Sequence, residues 1–263
     1  MKFLMIRNIT VKTRNFVFKT GSRLPLIGWL LIFFWQALDY MKFEISKKIL
    51  QTKAILSNKD NRLKEEIKIF FKGKKLYQPL LYPAFRDISF LRQSEDRFRI
   101  IKQNLSVKSG TILDIGACLG YFCFKFEDEH FDCYALEEDP MLCYFMEALK
   151  KLQNKKFKVI CRSIFEYRRD RDLFFDVILA LSVFHNFLER KDLYDDLLGL
   201  LKRLKAKEMF FETYIPDSQK SSKYYKDFTP EEFVNLIIEH SCFKKASLIG
   251  QSEAGRPIYK LTP

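Results

Sequence analysis

Thr111-Ile-Leu-Asp-Ile-Gly-Ala-Cys-Leu-Gly-Tyr-Phe122 decides the fold of this 263-residue chain. A short apolar run leads into Asp114 and then into Gly116 and Gly120. Glycines at such a turn let the backbone bend sharply and let a ligand approach the main chain. The residues beyond Gly120 open a helix, and the first N–H groups of a helix have no partners within it. Strand, glycine turn and helix together form the first βα unit of a nucleoside-binding α/β fold.

Working outward, the next strand is Asp132-Cys-Tyr-Ala-Leu-Glu137, followed by Glu138-Asp139-Pro140. Glu137 lies 23 positions after Asp114. An acid ending the second strand at about that spacing is placed to accept hydrogen bonds from ribose hydroxyls. Pro140 suits the first turn of the following helix, where its missing N–H costs nothing.

The spacing Asp-x-Gly-x-x-x-Gly departs from the dinucleotide fingerprint Gly-x-Gly-x-x-Gly. Here the chain resembles the class I, seven-strand S-adenosylmethionine-dependent methyltransferases. Asp114 to Gly120 matches the first motif of that family, and Ala135-Leu-Glu-Glu-Asp-Pro140 matches the second. Phe175-Asp-Val-Ile-Leu-Ala-Leu-Ser-Val-Phe-His-Asn186 looks like its fourth strand and the loop beyond it. The resemblance spans roughly residues 86–263. It implies S-adenosylmethionine as cofactor, with Gly116, Ala117 and Gly120 along the methionine portion, Asp114 close to it, and Glu137 on the ribose. Leu181, closing the fourth strand, belongs to the same set. After the third strand (158–163) the family often carries an acid for the adenine amino group. Ser163 and Ile164 stand there instead, which shifts adenine recognition toward backbone groups and apolar packing.

The predicted architecture is a doubly wound, mostly parallel seven-stranded sheet with a C-terminal antiparallel hairpin, plus a basic helical N-terminal extension. Strands are expected at 111–116, 132–137, 158–163, 176–181 and 208–214, joined by helices near 119–128, 140–152 and 190–205. Thr229-Pro-Glu-Glu-Phe opens a capped helix reaching about Ser241. Segments 246–250 and 257–261 flank Glu253-Ala-Gly-Arg256 as the closing hairpin. Residues 1–80 form the extension and 81–263 the catalytic domain.

Charge separates the two parts. Residues 1–110 carry 23 Lys/Arg against 8 Asp/Glu, and residues 111–263 carry 23 against 25, so the net +13 belongs to the N-terminal part. The six cysteines form no Cys-x-x-Cys pair and histidine occurs only at 130, 185 and 240, so neither a zinc site nor a disulfide framework is indicated. Leu24 to Leu38 is a nearly continuous apolar run with Trp29 and Trp35, and residues 1–23 hold six basic residues and no acid. Fifteen residues fall short of the roughly 20 that a span needs. Both flanks are basic, which opposes a crossing. A helix lying in the inner face of an anionic membrane is the favoured reading, with a span or a helix packed on the enzyme as alternatives. Residues 44–72 read as a basic amphipathic helix ended by Gly73, in contact with membrane or packed on the domain. This places the catalytic domain at the cytoplasmic face of a membrane, with residues 1–72 toward anionic lipid.

Ligands in open α/β sheets lie beyond the carboxyl ends of strands. His185 follows the fourth strand and is the candidate catalytic residue. It could take a proton from a hydroxyl that attacks the sulfonium methyl, or it could simply cap and pack the loop. No Asn/Asp-Pro-Pro-Tyr/Phe motif of base-methylating enzymes is present. The Leu-Ser-Val-Phe-His pattern looks closer to methyltransferase domains of bacterial surface-polysaccharide assembly, implying a small-molecule or glycan acceptor: a sugar hydroxyl, sugar phosphate or lipid-linked sugar. Tyr82, Arg86 and Arg97, in the lead-in segment, are candidates for the cofactor carboxylate or the acceptor, or ordinary surface groups. An RNA methyltransferase using the basic arm is the competing enzyme, which the apolar run opposes. A non-catalytic scaffold of the same fold is the third reading.

Overall fold

Apolar runs punctuated by glycine, proline and acidic turns become seven strands of one sheet in the computed structural model, which describes Met41 and residues 59–214 and 224–263. The strands are β1 (Gly110–Ile115), β2 (Phe131–Glu137), β3 (Lys158–Cys161), β4 (Leu173–Leu181), β5 (Leu204–Glu212), β6 (Lys245–Gln251) and β7 (Pro257–Thr262). Their order is β3-β2-β1-β4-β5-β7-β6. All neighbouring pairs are parallel except β5–β7 and β6–β7. The doubly wound sheet with its reversed closing hairpin is therefore present as predicted.

Parallel strands covered on both faces read as unbroken apolar runs. Val177, Ile178, Leu179 and Ala180 of β4 are all fully buried, as are Ile112 and Leu113 of β1. The chain progresses from β1 outward to β3, then returns to place β4 on the other side of β1. The crevice at this reversal is where such sheets bind ligands, and Asp114 and Leu181 lie next to it on β1 and β4.

The described helices are α1 (Lys59–Phe70), α2 (Ser94–Asn104), α3 (Tyr121–Asp128), α4 (Pro140–Leu152), α5 (Lys191–Arg203) and α6 (Pro230–His240). Their ends follow local chemistry. Asp139 caps α4 by accepting from the N–H groups of Met141 and Leu142, with Pro140 in the first turn. Thr229 and Glu232 form a reciprocal capping box on α6.

Several boundaries differ from the sequence reading. Strands β4 and β5 begin at 173 and 204 rather than 176 and 208, because Leu173, Phe174 and Phe175 pair with Leu204, Lys205 and Ala206. Helix α5 correspondingly stops at Arg203. Strand β3 ends at Cys161, since Ser163 already accepts from Glu166 and Tyr167 to start a turn.

The chain divides into two compact units, Met1–Lys72 and Gly73–Pro263. The predicted boundary at 80/81 moves to 72/73, because Leu76 is fully buried and bridges Phe90 within the second unit. In the first unit, α1 is the described part of the predicted 44–72 helix, with an Arg62–Glu66 pair at 3.0 Å along one face. The apolar run 24–38 lies outside the described residues. Among the described residues no helix is long and apolar enough to cross a membrane.

Candidate active site

The loop after β1 is shaped by backbone conformations that few side chains tolerate. Gly116 has φ +72° and Gly120 φ +84°, with Cys118 between them at +56°. A Cβ on Gly116 would stand 3.0 Å from Val183 Cγ2, and one on Gly120 would stand 3.0 Å from Met146. Glycine is thus required here for conformation and for space. The loop is tied to β2 by N–H groups of Gly116 and Ala117 donating to the Leu136 carbonyl at 2.9 and 3.0 Å. Ala117 is buried, and its carbonyl accepts from Gly120 N–H at 2.8 Å.

Glu137 reaches from the end of β2 to this loop. Its Oε2 accepts from Cys118 N–H at 2.9 Å, and its Oε1 accepts from the N–H groups of Glu138 and Asp139, both at 3.0 Å. A carboxylate offers about four acceptor positions, so three backbone donors fix its orientation and leave acceptor capacity for a ligand hydroxyl. Burial raises the Glu137 pKa, against the lowering effect of its backbone donors.

Asp114 is 2% exposed, and its Oδ2 has no hydrogen-bond partner among the described residues. Burial is the main reason its pKa rises from 3.8 to about 7; Arg97 opposes the rise and Glu137 adds to it. A buried acceptor without a donor is costly. It is also what a cationic or hydrogen-bonding ligand group would satisfy.

Arg97 closes the site from α2. It is fully buried, donating to Glu212 Oε2 at 3.1 Å and to Ser94 Oγ at 2.7 Å, with its guanidinium carbon 5.3 Å from the centre of the Phe122 ring. The Ser182 hydroxyl also donates to Glu212, and Arg256 donates to Ser182 at 2.9 Å. Ser182 has φ +57°, an unfavourable setting for a side-chain-bearing residue that this network holds in place. Arg97 is therefore neither a surface charge nor a free ligand for an acceptor. Its two hydrogen-bonding nitrogens are committed to the protein. Arg86 is exposed, and the Tyr82 ring packs edge-on to Phe85 at 5.4 Å.

His185 stands in a short 3₁₀ turn, Phe184–Leu188, directly after β4. Its ring centre is 5.5 Å from that of Tyr214, which is 5.4 Å from Tyr224. The Tyr214 hydroxyl donates to Asp227 and accepts from Phe228 N–H at 3.3 Å. Burial, and then the Asp227 hydrogen bond, push the Tyr214 phenol well above its usual range, so this ring stays neutral. Leu188 carbonyl accepts from Tyr225 N–H at 2.8 Å, fastening the segment after β5 to the histidine turn.

Ser163 begins a turn: its Oγ accepts from Phe165 N–H at 3.4 Å while its carbonyl binds Glu166 and Tyr167. Ile164 is buried in the core, and Leu181 is buried where β4 pairs with Glu212 of β5. The structure thus brings Asp114, the glycine loop and Glu137 together at the β1 and β2 ends. Val183, two residues before His185, packs over Gly116. Glu212, Ser182, Arg256, Tyr214 and Asp227 are site residues the sequence did not announce, because their partners lie up to 115 positions away. No group of His, Cys, Asp and Glu able to hold a metal occurs among the described residues.

No protein-family model matches the chain, and no curated protein matches it. Solved structures do. Monomeric WbdD aligns with a TM-score of 0.58 at 21% identity, covering 72% of this chain and 46% of that one. Another WbdD structure, described as a bifunctional kinase-methyltransferase, aligns at 0.56 and 19% identity, covering 72% of this chain and 44% of that one. The chain therefore spans less than half the length of these WbdD structures. The PH0226 protein of Pyrococcus horikoshii OT3 aligns at 0.52 and 14% identity, covering 74% of this chain and 99% of that one.

Proposed function

We infer from the strand order and the alignment with the WbdD structures that the fold is that of the class I S-adenosylmethionine-dependent methyltransferases. On it, we propose that this protein transfers a methyl group from S-adenosylmethionine to an oxygen of a glycan, sugar-phosphate or lipid-linked acceptor at the cytoplasmic face of a membrane. One observation carries the cofactor reading: the Glu137 carboxylate is held against the Cys118 N–H, so the ribose acid and the glycine loop form one wall. The orphaned Asp114 Oδ2, beside the left-handed turn that Gly116 and Gly120 allow, fits the methionine end of the same ligand.

When bound, the cofactor supplies an electrophilic methyl on a sulfonium. The protein's contribution is positioning and proton handling. Backbone groups of residues 116–120 and the Glu137 carboxylate fix the nucleoside, and in-line placement of an acceptor oxygen lowers the entropic part of the barrier. His185 lies past the β4 end, where it can accept the proton of an attacking hydroxyl. Tyr224, half-buried against the buried Tyr214, offers a flat apolar face near it, suited to the C–H face of a sugar ring. If the attacking atom is already an anionic phosphate oxygen, no base is needed, and His185 orients it.

Titration calorimetry with S-adenosylmethionine tests the first step. Wild type should bind with one site, and Glu137→Ala should bind about 10- to 100-fold more weakly, on the scale of hydrogen bonds to a charged group. Well-folded wild type that binds no cofactor refutes the reading. A radiolabelled methyl-transfer assay on glycolipid, membrane and RNA fractions then identifies the acceptor. Label appearing only in RNA would refute the glycan assignment while leaving the methyltransferase standing.

A further inference from the structure

A second charged feature lies away from the β1/β4 crevice. Beyond the end of β3, a cleft of about 490 Å³ is lined by Arg162, Tyr167, Arg168, Arg169, Asp170 and Arg171, together with the last residues of β3. Four arginines line it with one carboxylate, Asp170, and two further exposed acids, Glu166 and Asp172, stand in the same loop. All four arginines are exposed, and none of them forms a salt bridge with any described residue. The four arginines outnumber the three acids of this loop, so the cleft keeps a positive bias that an anion would join favourably.

The loop is also built rather than loose. Arg203, at the end of α5, donates to the carbonyls of Tyr167, Arg168 and Arg171 at 3.4, 2.9 and 3.4 Å, and to that of Ile164 at 3.5 Å. One cation thus spans four carbonyls and ties residues 164–171 into a single turn. Arg168 has φ +46°, a strained setting that the Arg203 bond and the Arg171 N–H to Arg168 carbonyl bond at 3.0 Å hold in place. The Arg168 guanidinium lies 5.3 Å from the centre of the Tyr167 ring, which restrains it further. A planar guanidinium presents paired donors that match phosphate oxygens, and several fixed together give a multidentate anion site.

We propose that this cleft is a docking site for phosphate-ester groups, separate from the point of methyl transfer. Arg162 follows β3, three positions from β4 in the sheet, about 14 Å at the usual spacing between strands. Arg168, Arg169 and Arg171 lead into Leu173 at the start of β4, the end opposite to His185, so a phosphate held here is not the reacting group. It anchors one end of a longer anionic molecule, or a phosphate-bearing surface, while another part reaches the crevice. Arg162 N–H donates to the Glu137 carbonyl at 2.9 Å, so the cleft adjoins the ribose side of the cofactor wall without sharing its side chains.

The test uses the full chain and a triple variant, Arg168→Gln with Arg169→Gln and Arg171→Gln, plus the single variant Arg169→Gln. Inorganic pyrophosphate and a sugar 1-phosphate are the soluble probes. Vesicles of phosphatidylcholine with and without phosphatidate are the surface probes. Wild type should bind pyrophosphate in a salt-sensitive manner, the single variant should bind several-fold more weakly, and the triple variant at least tenfold more weakly. S-adenosylmethionine affinity should stay within twofold throughout, which separates this site from the cofactor pocket and reports folding. Loss of soluble-probe binding alone identifies a soluble phosphate as the ligand. Loss of the phosphatidate-dependent part of vesicle binding as well identifies a headgroup. The proposal is overturned if wild type binds neither kind of phosphate, or if both variants bind as wild type does.

Discussion

Asp114 combines nearly complete burial with an oxygen that lacks a donor, and this gives its titration a sign. Its pKa rises from 3.8 to about 7 in the folded protein, so between those values the folded state holds a proton that the unfolded chain has lost. Ligand-free stability should therefore fall as pH increases from about 4 to 7, and Glu137, also raised, acts in the same direction. Thermal unfolding followed across that range should show the decline, and Asp114→Asn should flatten most of it; an unchanged slope in the variant would dismiss the assignment. Binding a cationic cofactor should reverse the preference, so calorimetry near pH 7 should detect proton release as a heat that differs between buffers. His185 is tested by turnover instead. If the acceptor is a hydroxyl, His185→Ala should lower kcat by about 10²- to 10⁴-fold with cofactor affinity unchanged, and intact turnover would remove the general-base role. Asp114, Gly116, Gly120 and Glu137 were legible in the sequence because one turn and one strand spacing fix all four. The surroundings of His185 were not. Tyr214, Tyr224 and Asp227 reach it only through β5 and its following segment, and no periodicity encodes that return.

Helix α2 and strand β5 are joined by the Arg97–Glu212 pair, both residues 2% exposed. Breaking a buried pair leaves an uncompensated charge, so Arg97→Met should destabilise the protein by about 3–5 kcal/mol. Replacing both partners, as Arg97→Met with Glu212→Leu, should recover a large share of that loss even though Ser182 then loses its acceptor. Urea unfolding of the three proteins decides it: a single variant within about 0.5 kcal/mol of wild type would show that the pair is not buried in solution. The same pair explains a limit of sequence reading. Arg97 sits in a segment dense with charges, where exposure is the natural expectation, and only the closing of α2 over the sheet buries it. Strands fared better, since continuous apolar runs such as 177–181 announce a doubly covered sheet. Their N-terminal ends did not, because Phe174 is 72% exposed and Lys205 is charged. There the pairing of β4 with β5 extends the strands past the hydrophobic signal.

The distribution of charge over the chain is what supports the proposed membrane-face location. Residues 1–110 hold a net +15 and the remainder a net −2, so attraction to an anionic surface would be concentrated at one end of the sequence. Each basic residue near an anionic bilayer contributes about 1 kcal/mol, and this attraction is screened within a Debye length of roughly 10 Å at 0.1 M salt and about 3 Å at 1 M. The full chain should therefore sediment with vesicles containing anionic lipid and remain free with neutral ones. What high salt does next separates the arrangements left open for Leu24–Leu38. Release of most of the protein at about 1 M salt points to electrostatic contact alone. Retention through salt, with extraction by alkaline carbonate, points to an apolar helix lying in the interface, where buried hydrocarbon holds it after screening. Retention through both treatments is the behaviour of a span. Equal partitioning onto neutral and anionic vesicles would contradict the electrostatic account, and with it the membrane-face location on which the choice of a lipid-linked acceptor depends.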